Sequence, residues 1–124
     1  MHVALATDVG AGTTFNMLKT YGEGYKISQL RHDPLSALAG LYMMTQGPAV
    51  AYGLDHEIGN LNPGSHADFV VLQPEFDELT SLRLTHPHSA QDMLFALSML
   101  GDDRAIYQTW IAGVCQYRQH KEVE

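Results

Sequence analysis

The chain has 124 residues, 45% hydrophobic and 17% charged, a composition typical of one globular domain rather than a disordered segment. Its formal net charge is −7, and its seven lysines and arginines are too few for the clustered cations that duplex nucleic acid requires. The one cysteine, Cys115, excludes an internal disulfide, and no run of eighteen apolar residues could span a membrane. With no basic, apolar leader at the N-terminus either, we expect a cytoplasmic protein without nucleic-acid or membrane partners.

The first predicted element is a buried strand over residues 3–7, which ends at Asp8 and is followed by a glycine loop. A helix is predicted next within residues 13–31, with Thr13 or Thr14 as its N-cap. Its apolar residues recur at helical spacing: Phe15, Leu18, Tyr21 and Tyr25. A strand, a glycine turn and a helix form half of a β/α unit.

A second helix is predicted to start at Asp33 as the N-cap, with Pro34 in its first position. Residues 35–46 are apolar on almost all sides, so we expect this helix to be well buried. The pair at residues 47–48, Gly-Pro, is expected to end it, and a short helix then ends near Gly53.

From residue 57 onwards the pattern changes to turns and short strands. Residues 62–64, Asn-Pro-Gly, predict a tight turn before a strand over residues 68–72, and residues 74–88 are expected to be irregular. A helix capped by Ser89 is predicted over residues 89–100. Two short strands around residues 112–113, Ala-Gly, then predict a hairpin.

Asp8 is the residue most suggestive of chemistry. An acid at the carboxyl end of a strand, before a glycine loop and a helix, lies where β/α folds place their active sites. The alternative is a structural aspartate that caps the loop or the helix. Spacing alone leaves both interpretations open.

The histidines and Cys115 give weaker signals. His86 and His88 have the HxH spacing of zinc ligands, but Pro87 interrupts them and no third or fourth ligand is evident, which favours a solvated loop. Cys115 has no histidine near it in sequence, so we expect a buried, inert thiol. The remaining histidines are expected at the surface: His2, His32, His56, His66 and His120.

Several stretches resemble one enzyme family. Residues 6–13, ATDVGAGT, followed by FNML at 15–18, resemble the last barrel strand and loop of guanine deaminases, which belong to the amidohydrolase superfamily of metal-dependent hydrolases. Three later stretches agree. The passage from the barrel into the small β-sandwich of such enzymes is similar to IGNLNPGSHADFVVLQP. Their C-terminal helix is similar to LFALSMLGDDRAI, and their final sandwich strand is similar to TWIAGV. The pair TDVGAG and LGDDR narrows the resemblance to guanine deaminases.

This resemblance implies a mixed, helix-rich α/β fold. Residues 1–56 would be the last strand and following helices of a (β/α)8 barrel, and residues 57–124 the C-terminal strands of the sandwich around the helix at 89–100. The metal-binding HxH and the other histidines of the family lie on earlier strands, to which His86 and His88 do not correspond. The chain therefore resembles the C-terminal third of the enzyme.

The resemblance also implies a role for Asp8, as a zinc ligand that carries the proton of the attacking water. The family reaction, in purine catabolism, is the hydrolytic deamination of guanine to xanthine and ammonia. Zinc and guanine are expected to bind only together with the missing barrel, so the chain alone is expected to be inactive and free of zinc.

Two alternatives remain. The chain could be a non-catalytic assembly module, because a lone barrel strand leaves sheet edges and an apolar flank that other copies, or a complementing N-terminal part, would cover. It could also belong to a sister amidohydrolase that acts on another aminated ring or a cyclic amide.

Overall fold

The computed structural model describes residues 3–86 and 89–119, which form five α-helices, one 3₁₀ turn and one three-stranded sheet. The predicted mixed, helix-rich class is confirmed. The predicted strand at residues 3–7 is not: this segment has no regular secondary structure. Its main chain is hydrogen-bonded to a helix instead, from the Leu5 N–H to the Met43 carbonyl at 2.9 Å. A strand exists only through a neighbouring strand, and none lies beside it in the described residues.

Helix α1 spans Met17–Leu30, and its N-cap is Asn16 rather than Thr13 or Thr14. The Asn16 side-chain oxygen accepts hydrogen bonds from the N–H groups of the first turn, at 2.8 Å for Leu18. Thr14 contacts the cap residue itself and not the helix, because its hydroxyl accepts a hydrogen bond from the Asn16 N–H at 3.1 Å. The predicted cap was therefore wrong by two residues or more.

Helix α2 spans Ala37–Met44 and has Ser36 as its N-cap, so the predicted start, with Asp33 as the N-cap and Pro34 in the first position, was wrong. Residue 35 explains the delay. The Leu35 N–H donates to the Ser28 hydroxyl at 3.0 Å, and the Leu35 carbonyl accepts from the Tyr21 hydroxyl at 3.2 Å. Both of its main-chain groups are thus bonded to α1, which keeps residues 33–35 outside the helix.

Helix α3 spans Gln46–Tyr52 and follows α2 after a break at Thr45. The sequence predicted that Gly47 and Pro48 end a helix, and this prediction was wrong. Both residues lie in the first turn of α3. A proline is tolerated there because first-turn N–H groups have no acceptor within the helix. The predicted end near Gly53 is confirmed, since Gly53 closes α3 in the left-handed conformation, with φ 72°.

Helix α4 spans Glu78–Leu84, within residues that the sequence pattern marked as irregular. Asp77 caps it by accepting from the Thr80 N–H at 2.8 Å, and the Thr80 hydroxyl accepts in return from the Asp77 N–H at 3.1 Å. Helix α5 spans Ala90–Leu100, with Ser89 as its N-cap, as predicted.

Helices α1 and α2 pack together at Tyr21, which is fully buried. A methyl group on Gly40 of α2 would overlap the Tyr21 ring, so the ring lies directly on the α2 backbone. One turn further along α1, the Tyr25 ring contacts the Phe95 ring of α5 edge to face, with ring centroids 5.2 Å apart. The outer side of α2 stays open, with Leu38 55% and Tyr42 47% exposed, which contradicts the expected burial on all sides.

The sheet has the order β1-β2-β3, formed by Phe69–Leu72, Ile106–Ile111 and Val114–Arg118, all antiparallel. The predicted strand and hairpin are confirmed. The 3₁₀ turn Asp103–Ala105 precedes β2. Ala112 and Gly113 form the hairpin turn, both with positive φ, and the Asp68 carboxylate accepts from the Ala112 N–H at 2.6 Å.

Candidate functional site

Asp8 is exposed, at the point where residues 3–7 meet the glycine loop. Its main chain has a φ of 51°, in the left-handed region, and its carbonyl oxygen accepts from the N–H groups of Ala11 at 3.0 Å and Gly12 at 2.6 Å. Within the described residues, its carboxylate makes no hydrogen bond or ion pair. The main chain of Asp8 therefore closes the loop, and the side chain is left available.

The two sides of residues 3–8 differ in exposure. Leu5 and Thr7 are partly buried, whereas Ala4, Ala6 and Asp8 are exposed. Leu5 faces α1, because a methyl group at Gly24 would lie 3.5 Å from its Cδ2 atom. The segment thus covers helices on one side and presents small residues, ending in a carboxylate, on the other.

The described residues do not fit a zinc ion by themselves. Zinc takes at least three protein ligands from His, Cys, Asp or Glu, and no three such side chains come together in residues 3–86 and 89–119. His32, His56, His66 and His86 are all exposed. His2, His88 and His120 lie outside the described residues, so the predicted loop at His86 and His88 is described only in part.

Cys115 lies in β3 and is partly buried. Its thiol donates to the Tyr117 carbonyl oxygen, with 3.2 Å between sulfur and oxygen. This contact is within one strand and supplies no catalytic base.

The LGDDR stretch, residues 100–104, joins α5 to the sheet. Asp102 caps the 3₁₀ turn by accepting from the Arg104 N–H at 2.9 Å. The Arg104 guanidinium bonds back to Asp102 at 2.8 Å and reaches Asp77, the cap of α4, at 3.1 Å. It also lies over the Phe76 ring, 4.9 Å from its centroid. One arginine therefore links the starts of α4 and of the 3₁₀ turn.

Hydrogen bonds lower the pKa values of the two carboxylates in this cluster, which consists of Asp77, Asp102 and Arg104. The Arg104 side chain lowers the pKa of Asp102 below its ordinary value. The pKa of Asp77 is lowered chiefly by the Thr80 N–H, with a smaller effect of Arg104. Both carboxylates thus stay charged at neutral pH, with helix-capping roles. Sequence reasoning missed this cluster, although the Asp-x-x-Thr pattern at residue 77 was a visible helix start.

The sequence of this chain is similar to those of a known protein family. The sequence profile of the Amidohydrolase family matches residues 1–115, and the chain therefore belongs to the amidohydrolase family. Among the curated relatives it is similar to the guanine deaminase of Escherichia coli (strain K12), with 48% identity over 118 residues, covering 95% of this chain and 27% of that protein. It is 35% identical over 125 residues to a probable guanine deaminase of Deinococcus radiodurans, covering 98% and 28%.

Solved structures give the same result. The E. coli guanine deaminase superposes with a TM-score of 0.92 at 47% identity, over 96% of this chain and 28% of that one. The guanine deaminase of Bradyrhizobium japonicum superposes with a TM-score of 0.85 at 30% identity, over 97% and 32%. The resemblance to guanine deaminases is thus confirmed, and the chain spans between a quarter and a third of the length of these relatives.

Within residues 3–86 and 89–119, none of the helices combines the length and the apolar character that a membrane span requires.

Proposed function

We propose that this chain is the C-terminal part of a cytoplasmic guanine deaminase, which hydrolyses guanine to xanthine and ammonia. The observation that carries the proposal is the match of nearly the whole chain to the E. coli enzyme, with a TM-score of 0.92. In this proposal, the activity belongs to a site that residues beyond the described ones complete, because residues 3–86 and 89–119 bring no metal-binding cluster together.

In this proposal, residues 1–56 are the last unit of a (β/α)8 barrel and residues 57–124 carry the sandwich strands. Two features support the barrel assignment. Residues 3–8 cover helices on one side and are bare on the other, as a barrel strand without its neighbours would be. The open apolar side of α2 also requires a cover that the described residues lack.

Asp8 is the residue of this chain that takes part in the reaction. Its carboxylate is exposed, free of partners in the described residues, and lies at the end of the segment that would be the last barrel strand. Active sites of such barrels lie at the carboxyl ends of their strands. There it would serve as one metal ligand and accept the proton of the attacking water, then return it to the departing amine.

The test has two parts. The 124-residue chain alone should form no xanthine from guanine and bind no stoichiometric zinc. A chimera, in which this chain replaces the matching segment of the E. coli enzyme, should form xanthine and contain zinc. In the chimera, Asp8→Ala should lower kcat by about 10²–10⁴-fold, the range of general acid–base catalysis. Asp55→Ala, at an exposed aspartate in the loop after α3, is the matched control and should leave kcat unchanged.

Two outcomes would contradict the proposal. Turnover by the chain alone would show that the site is complete without a barrel. A folded chimera that contains zinc but forms no xanthine would show that this segment does not serve the guanine reaction. Joining the chain to the reading frame that precedes it in its genome, and assaying guanine against other aminated rings and cyclic amides, distinguishes guanine from a sister substrate.

A second proposed role is self-assembly of the isolated chain. The observation that favours it is the number of large apolar side chains that stay open on α2 and on the sheet, among them Leu38, Tyr42 and Ile111. Copies of the chain could cover these surfaces by helix packing or strand exchange.

A further inference from the structure

The glycine loop folds back onto the peptide that precedes Asp8. The Gly12 N–H donates to the Asp8 carbonyl oxygen at 2.6 Å. A methyl group on Gly12 would overlap the Thr7 carbonyl oxygen, and it would lie 2.9 Å from the Thr7 carbonyl carbon and 3.1 Å from the Asp8 oxygen. Only a residue without a side chain allows this contact, so the loop position is set by Gly12.

This contact bears on the direction of the Asp8 side chain. The φ of Asp8, 51°, is uncommon for a residue other than glycine and needs neighbouring groups to hold it. The groups that hold it are the N–H donors of Ala11 and Gly12, both bonded to the Asp8 carbonyl. This main-chain conformation sets the direction in which the Cα–Cβ bond of Asp8 leaves the chain, and with it the region that the carboxylate can reach.

We propose that Gly12 is a positioning residue for Asp8: its missing side chain lets the loop close on the Thr7–Asp8 peptide and fixes the direction of the Cα–Cβ bond that carries the catalytic carboxylate. This inference rests on the proposed role of Asp8. A side chain at position 12 would push the loop away from Thr7, break the 2.6 Å bond and release the Asp8 conformation. The loop is exposed, so the displacement would be local.

Gly10 offers a matched control in the same loop. It also has a positive φ, 106°, but a methyl group there would meet nothing within 4 Å. Gly10→Ala therefore adds backbone strain without touching Thr7 or Asp8, whereas Gly12→Ala adds a steric clash at the Asp8 peptide. The two variants separate positioning from a general stiffening of the loop.

The experiment compares both variants in the chimera described above. Gly12→Ala should lower kcat by about 10²-fold, the loss expected when a reacting group is displaced by about 1 Å, with KM and the melting temperature close to those of the parent. Gly10→Ala should keep most of kcat. Equal losses in the two variants, or an unchanged kcat in Gly12→Ala, would overturn the proposal. Global unfolding of Gly12→Ala would also overturn it, because the proposal confines the effect to an exposed loop.

A second readout does not depend on activity. In the isotope-labelled 124-residue chain, the backbone NMR signals of Asp8 should shift much further in Gly12→Ala than in Gly10→Ala, because only the first variant clashes with the Thr7–Asp8 peptide. An inactive parent chimera would refute the proposed function and leave this NMR result to decide the positioning role. Unmoved Asp8 signals in Gly12→Ala would refute the positioning role even if the chimera is active.

Discussion

Gly40 and Tyr21 show how one small residue determines the packing of two helices. The Tyr21 ring is fully buried against the bare backbone of Gly40, and its hydroxyl donates to the Leu35 carbonyl at 3.2 Å. Burial raises the pKa of Tyr21 above its ordinary value, so the hydroxyl remains a neutral donor at physiological pH. The same residue thus supplies apolar contact to α2 and a hydrogen bond that delays its start.

Two glycine-to-alanine substitutions should therefore change stability in opposite directions. Gly40→Ala should destabilise the fold by about 1–3 kcal/mol, because the added methyl overpacks a filled site. Gly24→Ala, in α1, should stabilise it by about 0.5–1 kcal/mol, because its methyl would meet Leu5 at an ordinary 3.5 Å and alanine favours a helix. Urea unfolding followed by circular dichroism measures both free energies. Equal effects of the two variants would show that the Tyr21 contact is not tight.

At the scale of elements, the start of α4 depends on residues far apart in sequence. Asp77 caps α4 through Thr80 and also pairs with Arg104, which holds Asp102 at the start of the 3₁₀ turn. Arg104 thereby joins a helix that lies before α5 to a turn that lies after it. The capping half of this arrangement is local, whereas the ion pair exists only because the chain folds back.

The acid dependence of stability should reflect this cluster. The folded-state pKa values of Asp77 and Asp102 are lowered, so their contribution is complete above the unfolded value of about 3.9 and is lost as the pH falls through the folded values. The double variant Asp77→Asn, Asp102→Asn keeps capping oxygens but no charge. Its melting temperature should fall less than that of the parent between about pH 5 and pH 2.

The control for this prediction is Asp55→Asn. Asp55 is exposed, and its side chain makes no ion pair in the described residues, so this variant should follow the parent curve. If the double variant also follows the parent curve, the ion pairs of Arg104 contribute nothing to stability and α4 is held by its cap and its packing.

For the whole molecule, the open apolar surfaces are the main feature. Leu38 and Tyr42 on α2, and Ile111 and Val114 on the sheet, are about half exposed. In the proposed enzyme, the remainder of the barrel and sandwich would cover them. In the isolated chain, they face water and favour association.

We therefore expect the isolated chain to associate as its concentration rises. Replacing Leu38 and Tyr42 by lysine should lower the average mass in light scattering, because the exposed apolar area of α2 that other copies would cover is then removed. Ala39→Lys, also exposed on α2, adds charge without removing a large apolar side chain and should leave the mass unchanged. A monodisperse parent monomer at high concentration would exclude this association.

The sequence by itself determined the features that depend on a few adjacent residues. The strand β1, the β2–β3 hairpin, the Ser89 cap and the end of α3 at Gly53 were all predicted, because each rests on local turn chemistry or alternation. Family membership was also readable: the IGNL, NPG and ADFVVL stretches indicated an amidohydrolase, and TDVGAG with LGDDR narrowed the resemblance to guanine deaminases.

Only the tertiary structure decided the features that need distant partners. The N–H and the carbonyl of Leu35 are both hydrogen-bonded to α1, and for this reason the N-cap of α2 is Ser36 and not Asp33. Residues 3–7 have strand-like composition but no ladder, because a strand requires a neighbour that composition cannot provide. For Asp8, the sequence placed the acid before a glycine loop, and the structure showed that the loop closes on its main chain and leaves the carboxylate open. That distinction depends on where Gly12 lies in space, which spacing along the chain does not specify.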